Sequence, residues 1–332
     1  FVFWLGAPVS RRFSYHWQWC YASASGLLAV IGLIDDKWGM RAWVKLGGQV
    51  AVASILFASG VRIGGVFVAF PVWLDYLATV FWIVGAVNAF NLIDGMDGLA
   101  SGLALIAALG LAGSLLFTGV PIDTIPYLVL AGACLGFLRY NFNPASVFLG
   151  DTGSMFLGLC VATLPLVTGS RKELVASLGV PLLAMGIPIF DTMLAIWRRT
   201  VRALLPREGA AAAGARTRVM QPDKDHIHHR LLRETMNQRT AAVILYCGSA
   251  VLVAVGLAGT LLRNRAPGLY LLAFIVAVAV VARHLERVEL WDTGRLLSRR
   301  RVTMRQGLLV PLYIVSDVVW LCAAWVGVRW LC

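Results

Sequence analysis

The chain has 332 residues, of which 59% are hydrophobic and only 14% are charged, and its formal net charge at pH 7 is +12. Its uncharged runs are too many and too long for soluble domains, and they lack the alternating pattern of a membrane β-barrel. The basic residues lie in short loops between those runs, which argues against nucleic-acid binding and is typical of cytoplasmic loops of a membrane protein.

The apolar runs predict an all-α polytopic membrane protein with about ten transmembrane helices. Residues 1–12 resemble the end of an earlier helix, and because the first residue is Phe1 we expect the chain to be N-terminally incomplete. The predicted spans are 13–34, 46–61, 76–91, 98–117, 126–138, 152–168, 174–197, 240–262, 267–282 and 306–328.

The long polar loop 198–239 fixes the predicted orientation. It is rich in arginine, so the positive-inside rule places it in the cytoplasm. Counting spans backwards from this loop puts the ends of the first and third spans, and the connection before the sixth, on the same side. The topology therefore predicts that the acidic and histidine clusters of the chain share one site at the cytoplasmic face.

Asp35 and Asp36 close the first span. Carboxylates at a helix C-terminus oppose the helix dipole, which favours a function over a merely solvated helix end. Adjacent side chains at a helix end project in different directions, so one ion is not expected to bind both. Lys37 and Lys45 follow closely and are cations suited to phosphate oxygens.

Segment 88–102 reads NAFNLIDGMDGLASG and lies between two uncharged runs. Asn88, Asn91, Asp94 and Asp97 advance by three, so on a helix they form one polar stripe that ends in a glycine-containing turn. Carboxylates together with amides suit a hard cation such as Mg²⁺. A polar helix cap is the alternative.

Segment 140–158 reads YNFNPASVFLGDTGSMFLG. Asp151 lies among glycines whose backbone N–H groups can approach phosphate, while its carboxylate could hold a metal. An N-cap for the following helix is the alternative role of Asp151. Asn141 and Asn143 could bind a polar ligand or form a turn around Pro144.

Asp191 lies within the seventh predicted span. An ionisable residue inside a membrane is a candidate functional residue. Pairing with Arg198 or Arg199 is an equally open interpretation.

His226, His228 and His229 precede Arg230 in the long loop. They lack a cysteine partner and the i, i+4 spacing of a zinc helix, so hydrogen-bonding or cationic clamps on a pyrophosphate fit them better than zinc ligation. A loop patch without a function is the alternative.

Together these residues resemble the polyprenyl-phosphate N-acetylhexosamine-1-phosphate transferases of glycosyltransferase family 4. The resemblance covers roughly residues 20–290, and it adds to the segments above the sequences PIFDTMLAIWRR (188–199) and DHIHHRLL (225–232). The HIHHR form is similar to the WecA/TagO branch rather than to the MraY-type translocases. The resemblance therefore favours UDP-GlcNAc, or a close relative, over UDP-MurNAc-pentapeptide.

The resemblance implies transfer of a sugar-1-phosphate from a UDP-N-acetylhexosamine to undecaprenyl phosphate, with release of UMP. This would be the initiating step of a cell-envelope polysaccharide such as lipopolysaccharide or teichoic acid. It implies Mg²⁺ as the cofactor, with Mn²⁺ as an alternative, and a multi-pass enzyme in the bacterial inner membrane whose site faces the cytoplasm. The lipid bilayer is an expected partner, nucleic acid is not, and a homodimer is a possible assembly.

The motifs of the family assign roles to individual residues of this chain. The metal ligand falls on Asp151. The implied catalytic residues are Asp35, Asp36, Asp94 and Asp97. Among the expected substrate-binding residues, the motifs cover Asn88, Asn91, His226, His228, His229 and Arg230. The chemistry of the residues described above adds Lys37, Lys45, Asn141 and Asp191.

Residues 1–290 are expected to form the transferase membrane domain, and residues 291–332 to add a basic segment and one further transmembrane helix. The basic N-terminal loop with a Pro…Gly-Gly element, which is usual in the family, is absent from this sequence. Direct displacement by the lipid phosphate is the preferred mechanism, and a phosphoryl-enzyme stays open. A transporter or channel and an inactive scaffold for glycan assembly are the competing functions.

Overall fold

The computed structural model describes residues 15–64, 71–117, 119, 121–168, 185–186, 188 and 237–261. Within these ranges the regular structure is helical and contains no strand, which confirms the all-α prediction. The α-helices are α1 (Tyr15–Trp38), α2 (Ala42–Ala58), α3 (Val72–Ile93), α4 (Leu99–Phe117), α5 (Ile125–Asn141), α6 (Gly150–Thr168) and α7 (Gln238–Leu261), and a 3₁₀ helix covers Pro121–Thr124. The predicted spans 267–282 and 306–328 lie outside the described residues, as does most of 174–197.

Six of the described helices are long and apolar enough to cross a membrane, and the apolar helix α2 is shorter. The chain is therefore a multi-pass membrane protein. The observed helices extend beyond several predicted limits, because a charged side chain ends an apolar run without ending the backbone hydrogen bonds of the helix. Helix α1 continues past the predicted end at 34 to Trp38, and α3 begins at Val72 rather than at 76.

Helices α4 and α6 form the centre of the bundle, and most of their residues are buried. Helix α6 packs against α1, α3 and α4, while α4 also packs against α5 and α7. Small residues permit two of these contacts, as is usual between membrane helices. A Cβ atom on Gly158 would lie 2.8 Å from the backbone of Val87, and one on Gly32 would collide with the backbone of Thr152.

Seven termini of the described helices meet at one end of this bundle, which we call the polar end. Helices α1, α3 and α5 finish there, and α2, α4, α6 and α7 begin there, as hydrogen bonds between these termini show. Short connections join them at 39–41, at 94–98 and at 142–149. The alternation of chain direction therefore brings together acidic motifs that are more than a hundred residues apart in the sequence.

Candidate active site

The ammonium of Lys45 joins three oxygen atoms from three other helices. Its Nζ lies 2.7 Å from Asp35 Oδ2 of α1, 2.5 Å from Asp151 Oδ2 of α6 and 3.0 Å from Asn91 Oδ1 of α3. Lys45 itself begins the second turn of α2. These contacts place three of the residues expected at the site around the ammonium of a fourth.

Asp151 lies in the first turn of α6, and its side chain is one third exposed. Its Oδ1 accepts a hydrogen bond from Asn91 Nδ2 at 2.7 Å, and the same amide nitrogen donates to Ser154 Oγ at 3.1 Å. The carboxylate therefore points towards α2 and α3 instead of folding back to cap its own helix.

Asp36 supplies the cap that α6 requires. Its Oδ1 accepts the backbone N–H of Asp151 at 2.8 Å, and its Oδ2 accepts the N–H and the hydroxyl of Thr152 at 3.3 and 3.0 Å. A negative charge at a helix N-terminus is stabilised by the helix dipole and by the unpaired N–H groups there. Asp36 thus fixes the position of the helix that carries Asp151.

Asp35 takes different partners from its neighbour. It bonds Lys45, and its Oδ1 accepts the backbone N–H of Met40 at 2.6 Å, just beyond the end of α1. Since both residues lie in the last turn of α1, this divergence follows from the helical rotation between consecutive side chains.

Asp94 follows the last residue of α3 and is largely enclosed by the polar end. Burial raises its pKa to about 8, and the negative charges of Asp151 and Asp36 contribute to that rise. In the absence of a bound cation the Asp94 carboxyl is therefore mostly protonated at neutral pH.

Asp97, Asn141 and Asn143 organise the connection that leads into α6. Asp97 Oδ2 accepts hydrogen bonds from Asn143 Nδ2 at 2.9 Å and from the backbone N–H of Ala145 at 3.1 Å. The buried Asn141 accepts a bond from Ser101 Oγ and donates one to the carbonyl of Val147, each at 2.9 Å. The contacts of these side chains position the 142–149 loop.

Asn88 is paired with a residue that the sequence analysis did not identify. Its Nδ2 donates to Gln49 Oε1 at 2.6 Å, and Gln49 is 1% exposed. A glutamine inside an otherwise apolar run was the signal available in the sequence, since a polar group buried among membrane helices requires a partner. Gln49 lies one turn beyond Lys45 on α2 and so connects α2 to the polar stripe of α3.

Of the expected site residues that the structure describes, Lys37 is not brought into this group. The Lys37 side chain is exposed, and its Nζ lies 4.6 Å from the centre of the Trp38 ring. Five further expected residues lie outside the described ranges: Asp191, His226, His228, His229 and Arg230.

The donor atoms at the polar end fit a divalent cation that substrate would help to hold. The described ranges contain no group of three or more Asp, Glu, His or Cys side chains that could hold a metal ion by themselves. Mg²⁺, however, commonly binds to one or two carboxylates and completes its shell with water and substrate phosphates. Asp151 with Asn91 and Asp35 offers such hard oxygen donors, and their convergence on the Lys45 ammonium shows that the position favours positive charge.

Comparison with known proteins identifies several similar sequences. The sequence profile described as "Glycosyl transferase family 4" matches residues 18–169. A probable undecaprenyl-phosphate N-acetylglucosaminyl 1-phosphate transferase of Bacillus subtilis is 38% identical over 226 residues, which are 66% of this chain and 60% of that protein. A decaprenyl-phosphate N-acetylglucosaminephosphotransferase of Mycolicibacterium smegmatis is 34% identical over 78% of this chain and 67% of its own length.

A more distant relative is the undecaprenyl-phosphate alpha-N-acetylglucosaminyl 1-phosphate transferase of Escherichia coli, which is 26% identical over 86% of this chain and 77% of its own length. The chain thus spans 60% to 77% of the length of these three relatives. The matched profile contains Lys45, Asn91 and Asp151, and it ends before α7 begins.

Proposed function

The chain belongs to glycosyl transferase family 4, and we propose that it transfers N-acetylglucosamine-1-phosphate from UDP-N-acetylglucosamine to a polyprenyl phosphate and releases UMP. The names of the relatives support both the sugar and the lipid acceptor. Undecaprenyl phosphate is the proposed acceptor.

The observation that carries this proposal is the convergence of Asp35, Asp151 and Asn91 on Lys45 at one end of a membrane bundle. The reaction joins two anionic phosphates, so a site for it must provide positive charge at the membrane surface. The carboxylates attract a divalent cation to that place, and Lys45 adds an ammonium beside it. Such a group has no evident purpose in a helix bundle that serves only as a scaffold.

In the proposed reaction an oxygen of the lipid phosphate attacks the phosphorus that carries the sugar. The bond between that phosphorus and the oxygen bridging it to the uridine-linked phosphate breaks, and UMP leaves with the bridging oxygen. The lipid phosphate is largely dianionic at neutral pH, since the second pKa of a phosphate monoester is about 6. It can therefore act as the nucleophile without a strong general base, which favours direct displacement over a phosphoryl-enzyme.

Asp151 and Asn91 would hold Mg²⁺, whose chemistry is to neutralise the pyrophosphate and stabilise the departing UMP. Asp36 keeps the N-terminus of α6 in place, so that the carboxylate of Asp151 stays directed towards α2. Lys45 balances the charge of Asp35 and Asp151 before substrate arrives, and it can donate hydrogen bonds to phosphate oxygens afterwards. We also propose that the polar end faces the cytoplasm, where the basic loop 198–239 is expected.

The direct test is an assay of UMP release by purified protein in detergent, with undecaprenyl phosphate and a panel of UDP-N-acetylhexosamines. We expect release with UDP-N-acetylglucosamine, no release when Mg²⁺ is chelated, and recovery with Mg²⁺ or Mn²⁺. Release that requires a different UDP-sugar would change the proposed donor. Uptake of a solute by proteoliposomes without any UMP release would replace the proposed function by transport.

A further inference from the structure

Helix α7 contacts two of the three connections at the polar end, the one at 94–98 and the one at 142–149. The hydroxyl of Tyr246 donates a hydrogen bond to the carbonyl of Gly98 at 2.6 Å. At the start of the helix, Gln238 Oε1 accepts a bond from Asn143 Nδ2 at 2.9 Å, and Arg239 Nε donates to the carbonyl of Asn143 at 2.7 Å. One helix therefore holds the 94–98 connection and the 142–149 connection at once.

The two connections are also bonded to each other, through Asn143 and Asp97. The contacts close a ring that runs from α7 to Asn143, from there to Asp97 and Gly98, and back through Tyr246 to α7. We call this ring of hydrogen bonds the α7 clamp. Both N–H bonds of the Asn143 amide are used in it, one to Asp97 and one to Gln238. The first connection begins at Asp94, and the second leads directly to Asp151.

The packing around Tyr246 is built for this contact. Its phenol ring lies against Gly102, where a Cβ atom would collide with the ring. Farther along α4, Gly110 and Gly113 face Val253 and Leu257 of α7. The glycines let α7 approach α4 closely enough for the Tyr246 hydroxyl to reach Gly98, whose φ of +76° is a conformation that glycine adopts without strain.

We propose that Tyr246 is a positioning residue for the active site. Through the α7 clamp it sets the relative placement of two connections, the 94–98 connection that begins at Asp94 and the 142–149 connection that leads to Asp151. This inference rests on the proposed function. It adds a role for a residue outside the segment 18–169 matched by the family profile. Helix α7 also begins eight positions after Arg230 in the sequence.

The test compares Tyr246→Phe with a matched control, Tyr76→Phe. Both substitutions remove one hydroxyl and keep the ring. Tyr76 lies near the start of α3, at the opposite end of that helix from Asp94, and its hydroxyl is 2.9 Å from Ser54 Oγ. Gly98 retains two other donors, the N–H of Gly102 and the hydroxyl of Ser101, so Tyr246→Phe is expected to fold.

For Tyr246→Phe we expect kcat to fall about five- to tenfold, with KM for both substrates within about twofold and Tm close to that of Tyr76→Phe. The control is expected to keep kcat within about twofold. The double variant Tyr246→Phe, Asp97→Asn should lower kcat by a smaller factor than the product of the factors for the two single variants, because both substitutions act through the same ring of hydrogen bonds. Independent, multiplicative losses, or a kcat equal to that of the control, would overturn the proposal.

A second measurement does not depend on the reaction. Backbone hydrogen exchange of peptides covering 94–98 and 142–151 should quicken in Tyr246→Phe and stay unchanged in Tyr76→Phe. Unchanged exchange in these peptides would overturn the proposal. If wild-type protein released no UMP from any donor, the proposed function would fail, and the exchange result would still decide whether the α7 clamp positions the two connections.

Discussion

Each end of the helix bundle contains a carboxylate that accepts backbone N–H groups, yet the two ends differ in how their charge is compensated. At the end opposite the polar end, Asp75 lies in the first turn of α3 and is 6% exposed. It accepts bonds from the N–H of Gly64 at 2.5 Å and from the hydroxyl of Thr79 at 3.3 Å. These partners come from nearby in the chain, and the start of the helix adds a favourable dipole.

At the polar end Asp35, Asp36, Asp94 and Asp151 are gathered from distant parts of the chain. In the described part of the chain, Lys45 forms ion pairs with two of them, Asp35 and Asp151. Without a bound cation, the pKa of Asp94 is raised to about 8 by burial, which favours its neutral form and so lowers the local charge further. An isolated carboxylate satisfied by its own neighbourhood stabilises a fold, whereas an excess of carboxylates around one ammonium provides a place for another cation. This contrast is the physical basis for assigning chemistry to one end only.

The difference between the two ends is tested most strongly by neutralising one carboxylate at each end. We expect Asp151→Asn to lower the rate of UMP release by about 10³-fold or more, since the proposed cation would lose a charged ligand. Asp75→Asn should lower Tm by a few degrees and leave kcat within about twofold. The measurements are UMP release at saturating substrates and thermal unfolding in detergent.

The two variants serve as controls for each other, because both are isosteric losses of one negative charge. Turnover of Asp151→Asn near that of the wild type would remove Asp151 from the metal role. A large loss of kcat in folded Asp75→Asn would show that the opposite end also takes part in the reaction.

A second prediction compares the two lysines near the end of α1. Lys45→Met should lower kcat by about 10²-fold, because it removes the ammonium that joins Asp35, Asn91 and Asp151. Lys37→Met should change kcat by less than about threefold, since the Lys37 side chain is exposed and lies over Trp38. Equal losses in both variants would indicate that bulk positive charge matters more than the position of Lys45.

A third prediction separates the two adjacent aspartates. Asp36→Asn should cost about tenfold in kcat, because an amide keeps one acceptor for the N-terminus of α6 but loses the charge that the helix dipole favours. Asp36→Ala should lower kcat clearly more than Asp36→Asn does, and the rate of backbone hydrogen exchange at Asp151 and Thr152 should rise with the loss of kcat. If Asp36→Asn were as inactive as Asp36→Ala while exchange stayed unchanged, Asp36 would act chemically rather than as a helix cap.

The sequence was sufficient to predict the helical class and the gathering of several acidic motifs at one end. Apolar run length reports on membrane spans, and the alternation of chain direction from span to span decides which motifs share an end. It could not tell which polar residue touches which. Asp97 and Asp94 look equivalent in the segment 88–102, yet Asp97 bonds the 142–149 loop, while Asp94 is enclosed beside Asp151 and Asp36.

The partners of Gln49 and Tyr246 were also beyond the sequence, although Gln49 itself stood out as a polar residue in an apolar run. Each lies in an apolar helix where a single polar residue has no local pattern, and its partner comes from another helix. Contacts of this kind depend on the distance and angle at which two helices cross. Glycines at the points of close approach determine that geometry, and hydrophobic periodicity does not predict it. Tertiary packing therefore determined the parts of the site that the motifs left open.

The last prediction concerns Asp94 and the pH dependence of stability in the protein without a divalent cation, where no effect on the reaction is measured. The pKa of Asp94 is about 8 in the folded protein and 3.8 for an unperturbed carboxyl. The folded state therefore binds this proton more tightly than the unfolded chain does, so the stability that it contributes is complete below about pH 4 and is lost as pH rises through about 8. Asp94→Asn stays neutral at every pH, and it should flatten the fall in Tm between pH 5 and 9 that we expect for the wild type.

Added Mg²⁺ should flatten this fall in Tm in the wild type as well, because a nearby cation favours the ionised carboxylate. A pH dependence that Asp94→Asn leaves unchanged would assign the proton to another group, and the polar end would then carry one more negative charge at neutral pH than we infer.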